Sequence, residues 1–296
     1  MQYLIDASVY VFRAYYSMPE DMVDGDGNPV NALYGFCRFL GDFMEQVTPE
    51  YVAVLFDESL SKSFRTEIYP AYKANRDPAP PELKRQFDQC RRFVRAMGVM
   101  EAASPRYEAD DLIGTLVTHG RGLGRPSTIV TRDKDLTQLL GKDDCFWDFS
   151  GKGKLYYEEI EGSFGVSPEQ IADFLALAGD AVDNIKGVPG VGKKTAEKLL
   201  KHFGSLIEIY DNLDRVHEVN VRGAKTLAAK LEIHREDALL ARRLTGIACD
   251  APLDDVEAAL RPSAPRLGEI NALFDEANIG TALRRQAERV SDIYRH

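Results

Sequence analysis

Glu108-Ala109-Asp110-Asp111 puts three carboxylates into four positions at the opening of an apolar-periodic helix, continued by Leu112-Ile113-Gly114-Thr115-Leu116-Val117. Like charges so close are costly unless something positive sits among them, and a divalent metal ion would serve. On a regular helix Glu108 and Asp111 share a face at i,i+3, whereas Asp110 joins them only at the helix entrance, where side chains converge. The tetrapeptide alone is equally explained by the macrodipole, which favours acids at a helix N-terminus. Further acids shift the balance. Asp6 ends the strand-like Tyr3-Leu4-Ile5-Asp6, and Asp57 ends Tyr51-Val52-Ala53-Val54-Leu55-Phe56-Asp57. Asp133-Lys134-Asp135 follows the strand Ser127-Thr128-Ile129-Val130-Thr131; in an extended segment the two aspartates face one way and Lys134 the other, which suits shared cation binding. Asp180 and Asp183 stand at i,i+3 and can share a helix face.

These acids need elements that bring them to one place. Two apolar strands that each end in Asp and lead into helical sequence predict a mostly parallel sheet presenting carboxylates along one edge, where open α/β sheets place their ligands. Residues 8–17 and 31–47 are predicted helices, Gly25-Asp26-Gly27-Asn28-Pro29 a turn, and Cys145–Phe149 a further strand. From Glu158 onward the sequence reads as helical, with a domain boundary near 162–167.

Basic side chains crowd between Ser59 and Arg95, with Phe64, Tyr69 and Tyr72 interleaved. Arg91, Arg92 and Arg95 fit a solvated helix face over Pro81–Gly98. Lys73 and Arg76, in Ala71-Tyr72-Lys73-Ala74-Asn75-Arg76, come shortly after the Asp57 strand and can lean over the acids.

Gly187-Val188-Pro189-Gly190-Val191-Gly192-Lys193-Lys194-Thr195 invites a phosphate-loop reading that fails. Lys194 stands where a hydroxyl should hold magnesium, and the segment follows a helix instead of a strand. As helix, glycine hairpin and helix, it aims backbone N–H groups at one DNA phosphate, with Lys193 and Lys194 adding charge and no sequence readout. Arg222-Gly223-Ala224-Lys225-Thr226-Leu227-Ala228-Ala229-Lys230 is a weaker entrance of that kind.

The chain of 296 residues has room for two domains. Its 44% hydrophobic and 28% charged residues are those of a soluble globular protein, and no window approaches a membrane span. Without a basic leader or signal core at Met1-Gln2-Tyr3, a cytoplasmic protein is expected. Cys37, Cys90, Cys145 and Cys249 show no metal or redox spacing. The net charge of −10 argues against a nucleic-acid partner, but removing the nine clustered acids from 47 leaves 38 against 37 basic residues.

Together, Ser63-Phe64-Arg65, Tyr72-Lys73-Ala74-Asn75-Arg76, Glu108-Ala109-Asp110-Asp111, Asp133-Lys134-Asp135 and Gly179-Asp180 through Thr195-Ala196 resemble the flap-endonuclease (FEN-like) 5′-nuclease family. The likeness is greatest to the 5′-3′ exonuclease domain of bacterial DNA polymerase I, here without a polymerase, and covers roughly Met1 to Leu244. It implies an α/β fold: a PIN-like nuclease core with arch over 1–165 (arch about 59–85), a helix-hairpin-helix (H3TH) DNA-binding region over 166–245, and a C-terminal helical segment over 246–296 without assigned function. It implies metal ligands at Asp6, Asp57, Glu108, Asp110, Asp111, Asp133, Asp135, Asp180 and Asp183, with Asp110 bridging the ions. DNA contacts are implied at Arg13, Arg65, Lys73, Arg76, Gly190, Gly192, Lys193, Lys194, Thr195 and Lys225. Two Mg²⁺ or Mn²⁺ ions are implied as cofactors, with K⁺ on the hairpin carbonyls. Structure-selective 5′ hydrolysis of flapped, branched or nicked DNA by a monomer is then expected, paired with a separate polymerase and ligase in replication and repair. A catalytically idle DNA-binding scaffold is the alternative, and an RNA-directed nuclease should lack the hairpin. Ala7 and Arg132 depart from the family's usual glycine and small residue.

Overall fold

The computed structural model of the protein describes residues 1–58, 62–149, 151 and 153–295. The first three residues of the expected arch, 59–61, lie outside the described residues. Six strands form one sheet: β1 (Gln2–Asp6), β2 (Val52–Asp57), β3 (Met100–Ser104), β4 (Ser127–Val130), β5 (Cys145–Asp148) and β6 (Gly153–Tyr156), in the order β3-β2-β1-β4-β5-β6. All neighbours pair parallel except β5 with β6. β1, β2 and β4 are apolar runs because helices cover both faces. β3 and β6 escape the sequence reading: Met-Glu-Ala-Ala-Ser and Gly-Lys-Leu-Tyr are half-buried edge strands without an apolar run. The chain builds outward from β1 to β2 and β3, then returns to the other flank of β1 with β4. That reversal opens a crevice at the carboxyl ends of β1 and β4.

One face of the sheet is covered by α1 (Ala7–Ser17), α2 (Asn31–Val47) and, after the short α3 (Phe64–Ile68), α4 (Pro81–Ala96). Leu33, Phe36, Cys37, Leu40, Phe43 and Met44 recur at helical spacing along α2, and all are buried. Complete burial of one such side chain stabilises the fold by roughly 1.5–3 kcal/mol. The other face carries α5 (Ala109–Gly122), and its core runs unbroken into the helical half. That half comprises α6 (Tyr157–Phe164), α7 (Ile171–Ala178), α8 (Lys193–Phe203), α9 (Leu206–Asp211), α10 (Ala224–Ile233) and α11 (Arg235–Thr245). After the short α12 (Val256–Ala259), α13 (Leu267–Glu276) and α14 (Thr281–Ile293) return to pack on α4 and α2. No helix among the described residues is long and apolar enough to cross a membrane.

Asp180 and Asp183 do not lie on a helix. They sit on a tight turn closed by Asp180 N–H to Ile185 O (2.9 Å) and Ile185 N–H to Asp180 O (2.8 Å). The neck of this turn needs glycine, since a Cβ on Gly187 would lie 2.3 Å from the Gly179 nitrogen.

Candidate active site

Asp6 and Asp57 are the last residues of β1 and β2. Asp6 accepts a hydrogen bond from Thr131 Oγ1 (2.9 Å), and that same hydroxyl accepts the Asp133 N–H (2.9 Å). Asp57 accepts from Ser8 Oγ (2.8 Å) and from the first amide of α5, Ala109 N–H (2.9 Å). The strand ends thereby fix where α5 begins, with Glu108 as its N-cap and Asp110 in its first turn. Asp133 keeps extended backbone, but Asp135 has already left it. Asp133 caps a 3-10 helix over Lys134–Leu139 and accepts the Asp135 N–H (3.0 Å), so local hydrogen bonding, not strand alternation, orients the pair. A narrow cleft is bordered by Tyr72, Glu108, Asp110, Asp135, Asp180 and Asp183.

The carboxylates burden one another. Burial, then Asp57 and Asp133, push Asp6 up to about 7. Burial followed by Asp133, Asp180 and Asp183 does the same to Asp135, also to about 7. Asp110 is driven well above the usual carboxylate range by burial, Asp133, Asp6 and Asp57. Asp133 is raised by burial, with Asp183 and Asp180 adding. It thus stands among both groups, the strand-end acids and the turn acids. At Glu108 burial acts upward, but Lys73 and Arg65 outweigh it and hold the carboxyl low.

Such a set fits hard divalent cations. Every donor is a carboxylate oxygen, the chemistry of Mg²⁺ and Mn²⁺, and Glu108 Oε1 is buried without a hydrogen-bond partner. Among the described residues no three His, Cys, Asp or Glu side chains form a ready cage for one ion. Some of the acids hold protein cations instead. Lys73 Nζ lies 2.6 Å from Glu108 and 3.6 Å from Asp183, and Arg76 pairs with Asp183.

The Lys73 segment is stitched to the acidic turn. Lys73 N–H donates to Asp183 O (3.0 Å), Asn184 Nδ2 to Ala71 O (2.6 Å) and Asn75 Nδ2 to Ala181 O (2.9 Å). Lys73 itself adopts a left-handed φ of 53°, unusual for a non-glycine residue. Sequence reasoning took Tyr72 for an interleaved aromatic, yet its hydroxyl lies 3.2 Å from Glu108 Oε2 and 3.1 Å from Asp183 Oδ2. Nor did it find Ser8 and Thr131, whose hydroxyls orient Asp57 and Asp6. Short polar residues beside the strand ends, Ser8 after Asp6 and Thr131 before Asp133, were the available signal.

Two expected site residues are corrected. Asp111 is wholly buried, and both its oxygens are taken by Arg65 and by the Glu108 and Ala248 amides, leaving none to face an ion. Arg65 is buried with it, its guanidinium held by Asp111 and by the Leu244 and Gly246 carbonyls. Arg13, by contrast, lines an open hollow with Phe12, Tyr16 and Arg132, apart from the lining of the acidic cleft. Arg132 pairs with Asp148 at 3.3 Å.

The hairpin lies at the entrance of α8. Gly190 has φ 85°, Gly192 is the N-cap, and Lys193 and Lys194 open the helix exposed, with Thr195 half-buried behind them. First-turn helix amides have no intrahelical acceptor and favour anions. Lys225 is exposed in the first turn of α10. Lys230, at the end of the same segment, brings its ammonium beside Gly190, where a Cβ would meet it at 3.0 Å.

Two family models cover most of the chain: the 5′-3′ exonuclease, N-terminal resolvase-like domain over residues 1–165, and the 5′-3′ exonuclease, C-terminal SAM fold over 166–266. DNA polymerase I of Pseudomonas aeruginosa is 40% identical over 274 residues, which make up 92% of this chain and 30% of that protein. The chain thus spans about a third of the length of the curated relatives it matches. Among solved structures, the bacteriophage T5 5′-exonuclease with bound zinc superposes with a TM-score of 0.67 at 18% identity, covering 99% of this chain and 98% of that one. A T5 flap endonuclease described as a pseudo-enzyme-product complex with DNA and metal ions gives 0.65 at 19% identity, covering 100% and 99%. At these identities the two likenesses show a shared fold.

Proposed function

Because the chain belongs to the 5′-3′ exonuclease family, we propose that it is a structure-selective 5′ nuclease, hydrolysing DNA phosphodiesters near the 5′ end of flapped, branched or nicked substrates. The observation that carries this reading is the convergence of acids from separate segments of the chain beside Lys73 and Arg76 at the sheet's crevice. Asp6, Asp57, Glu108, Asp110, Asp133, Asp135, Asp180 and Asp183 would hold two Mg²⁺ or Mn²⁺ ions, with Asp133 between the two groups. When bound, such ions supply water activation, orientation of the scissile phosphate and stabilisation of the leaving 3′ oxygen.

The chain's own residues do the rest. Lys73 and Arg76 pair with Glu108 and Asp183; were ions to take over those carboxylates, the two cations would be free to offset charge developing on the phosphate. Thr131 and Ser8 hold Asp6 and Asp57 in fixed orientation. The α8 entrance, with Gly190, Gly192, Lys193, Lys194 and Thr195, grips one backbone phosphate of the duplex, and Lys225 a second; K⁺ would sit on the hairpin carbonyls. We further propose a core over 1–165, a DNA-gripping region over 166–245, and action as a cytoplasmic monomer alongside a polymerase and a ligase.

A 5′-labelled DNA flap incubated with Mg²⁺ should be cut near the junction and left intact with EDTA. Activity that survives both EDTA and Asp135→Ala would refute the assignment, and an RNA flap run in parallel tests the substrate class.

A further inference from the structure

Arg65 and Asp111 form the most deeply buried ion pair among the described residues. Four of the five guanidinium N–H groups are engaged. Nη1 and Nη2 reach the two carboxylate oxygens at 2.7 Å each, Nε donates to Leu244 O (2.9 Å) and Nη2 to Gly246 O (2.8 Å). The same carboxylate accepts the Glu108 N–H (3.0 Å) and the Ala248 N–H (2.9 Å). Three places far apart in sequence therefore meet at one point: the base of the Lys73 segment, the first turn of α5, and the chain as it leaves α11. Stability alone does not require charge here, since a buried ion pair can often be replaced by apolar side chains of similar volume without loss. An apolar pair cannot, however, fix the Glu108 and Ala248 amides. The turn so fixed carries Glu108 and Asp110, both of which border the acidic cleft.

We propose that Arg65 and Asp111 are positioning residues. Asp111 sets the Glu108–Asp110 turn at the cleft and ties it, through Arg65, to the chain leaving the helical half, without itself touching an ion. This rests on the reading of the cleft as a divalent-cation site. It separates two neighbouring aspartates by role: Asp110 faces the cleft, whereas Asp111 faces the protein.

Mn²⁺ titration calorimetry on the full chain decides the matter, with thermal unfolding first showing that each variant is folded. Asp111→Asn and Arg65→Met should bind as many ions as the unaltered protein, with affinities lowered by a similar, less than tenfold factor, while Asp110→Asn loses an ion. At saturating Mn²⁺ both positioning variants should cut a flap about 10- to 100-fold more slowly in a single turnover, because small displacements of reacting groups cost about that much. Arg65→Met/Asp111→Leu should be no slower than the worse single variant, since the two act as one unit. Arg65→Lys should recover little, lacking the bidentate fork. Loss of an ion in Asp111→Asn alone would overturn the proposal, as would full cleavage rates in the single variants or multiplying defects in the double. If a single variant does not fold, the apolar double answers the same question: slow cleavage with unchanged ion count supports positioning, and normal cleavage refutes it. Failure of the unaltered protein to cut any flap would sink the proposed activity, and ion counting would still decide the role of Asp111.

Discussion

Lys73 is held in a left-handed backbone conformation with its ammonium buried between Glu108 and Asp183. Backbone strain of this kind persists only where the surroundings impose it, and here the hydrogen bonds to the acidic turn do so. Lys73→Ala should therefore lower the single-turnover rate by about 10²-fold or more while most DNA affinity remains, as for a group acting on transition-state charge; an equal loss in Kd and rate would contradict this. The crowded acids make a second prediction. Asp6 and Asp135 titrate near 7 in the folded chain against about 3.9 unfolded. Raised carboxyl values mean that the fold holds protons more tightly, so this stabilisation is complete below about pH 4 and is lost as pH rises through about 7. Divalent ions bind the deprotonated form. The melting-temperature gap between Mn²⁺-loaded and EDTA-treated protein should widen from about pH 5.5 to about 8, and a gap that stays constant would count against the cluster as an ion site. Asp135→Asn should raise the EDTA-state melting temperature while abolishing cleavage, because it removes repulsion along with a ligand.

At the scale of elements, the entrance of α8 and the neck at Gly179 and Gly187 divide the work between grip and chemistry. Lys193→Ala/Lys194→Ala should weaken DNA binding irrespective of sequence and flatten its salt dependence, the log–log slope falling by about one for each phosphate no longer neutralised. Turnover at saturating DNA should stay close to that of the unaltered protein. Filter-binding titrations from about 50 to about 200 mM salt, paired with single-turnover cleavage, test this; a hairpin variant that binds normally but cannot cut would remove the distinction. The neck ties the two activities together, since the turn bearing Asp180 and Asp183 leaves α7 just before the hairpin begins.

For the whole molecule, α13 and α14 are part of the core and not an appendage. Ile270, Leu273 and Phe274 are buried, Phe274 stacks on Phe93 with ring centroids 5.6 Å apart, and α14 meets α2 so closely that a Cβ on Gly41 would strike the Gln286 side chain. At about 1.5–3 kcal/mol per buried side chain, the loss of α13 and α14 would rival the roughly 5–15 kcal/mol that keeps a domain folded. Truncation after Arg266 should thus yield insoluble or cold-melting protein even though the acids and the hairpin all remain; soluble yield and a thermal melt provide the check. A truncated chain that melts within a few degrees of the full chain would show that the helices are dispensable.

The sequence by itself determined which acids stand at strand ends, because an apolar run buried on both faces stops where the sheet's packed layers end, and Asp6 and Asp57 mark those stops. It also determined the helix, glycine hairpin and helix, whose backbone demands are local. The edge strands β3 and β6 were illegible because a half-covered strand needs no apolar run. Only the tertiary structure could decide that Asp111 turns inward to Arg65 while Asp110, one residue away, turns to the cleft. Periodicity reports which side of a helix is buried but not what awaits it there, and here the partners come from the chain at 65 and 244–248. The roles of Tyr72 and of the Asp180–Asp183 turn were decided in the same way, by contacts between segments more than a hundred residues apart.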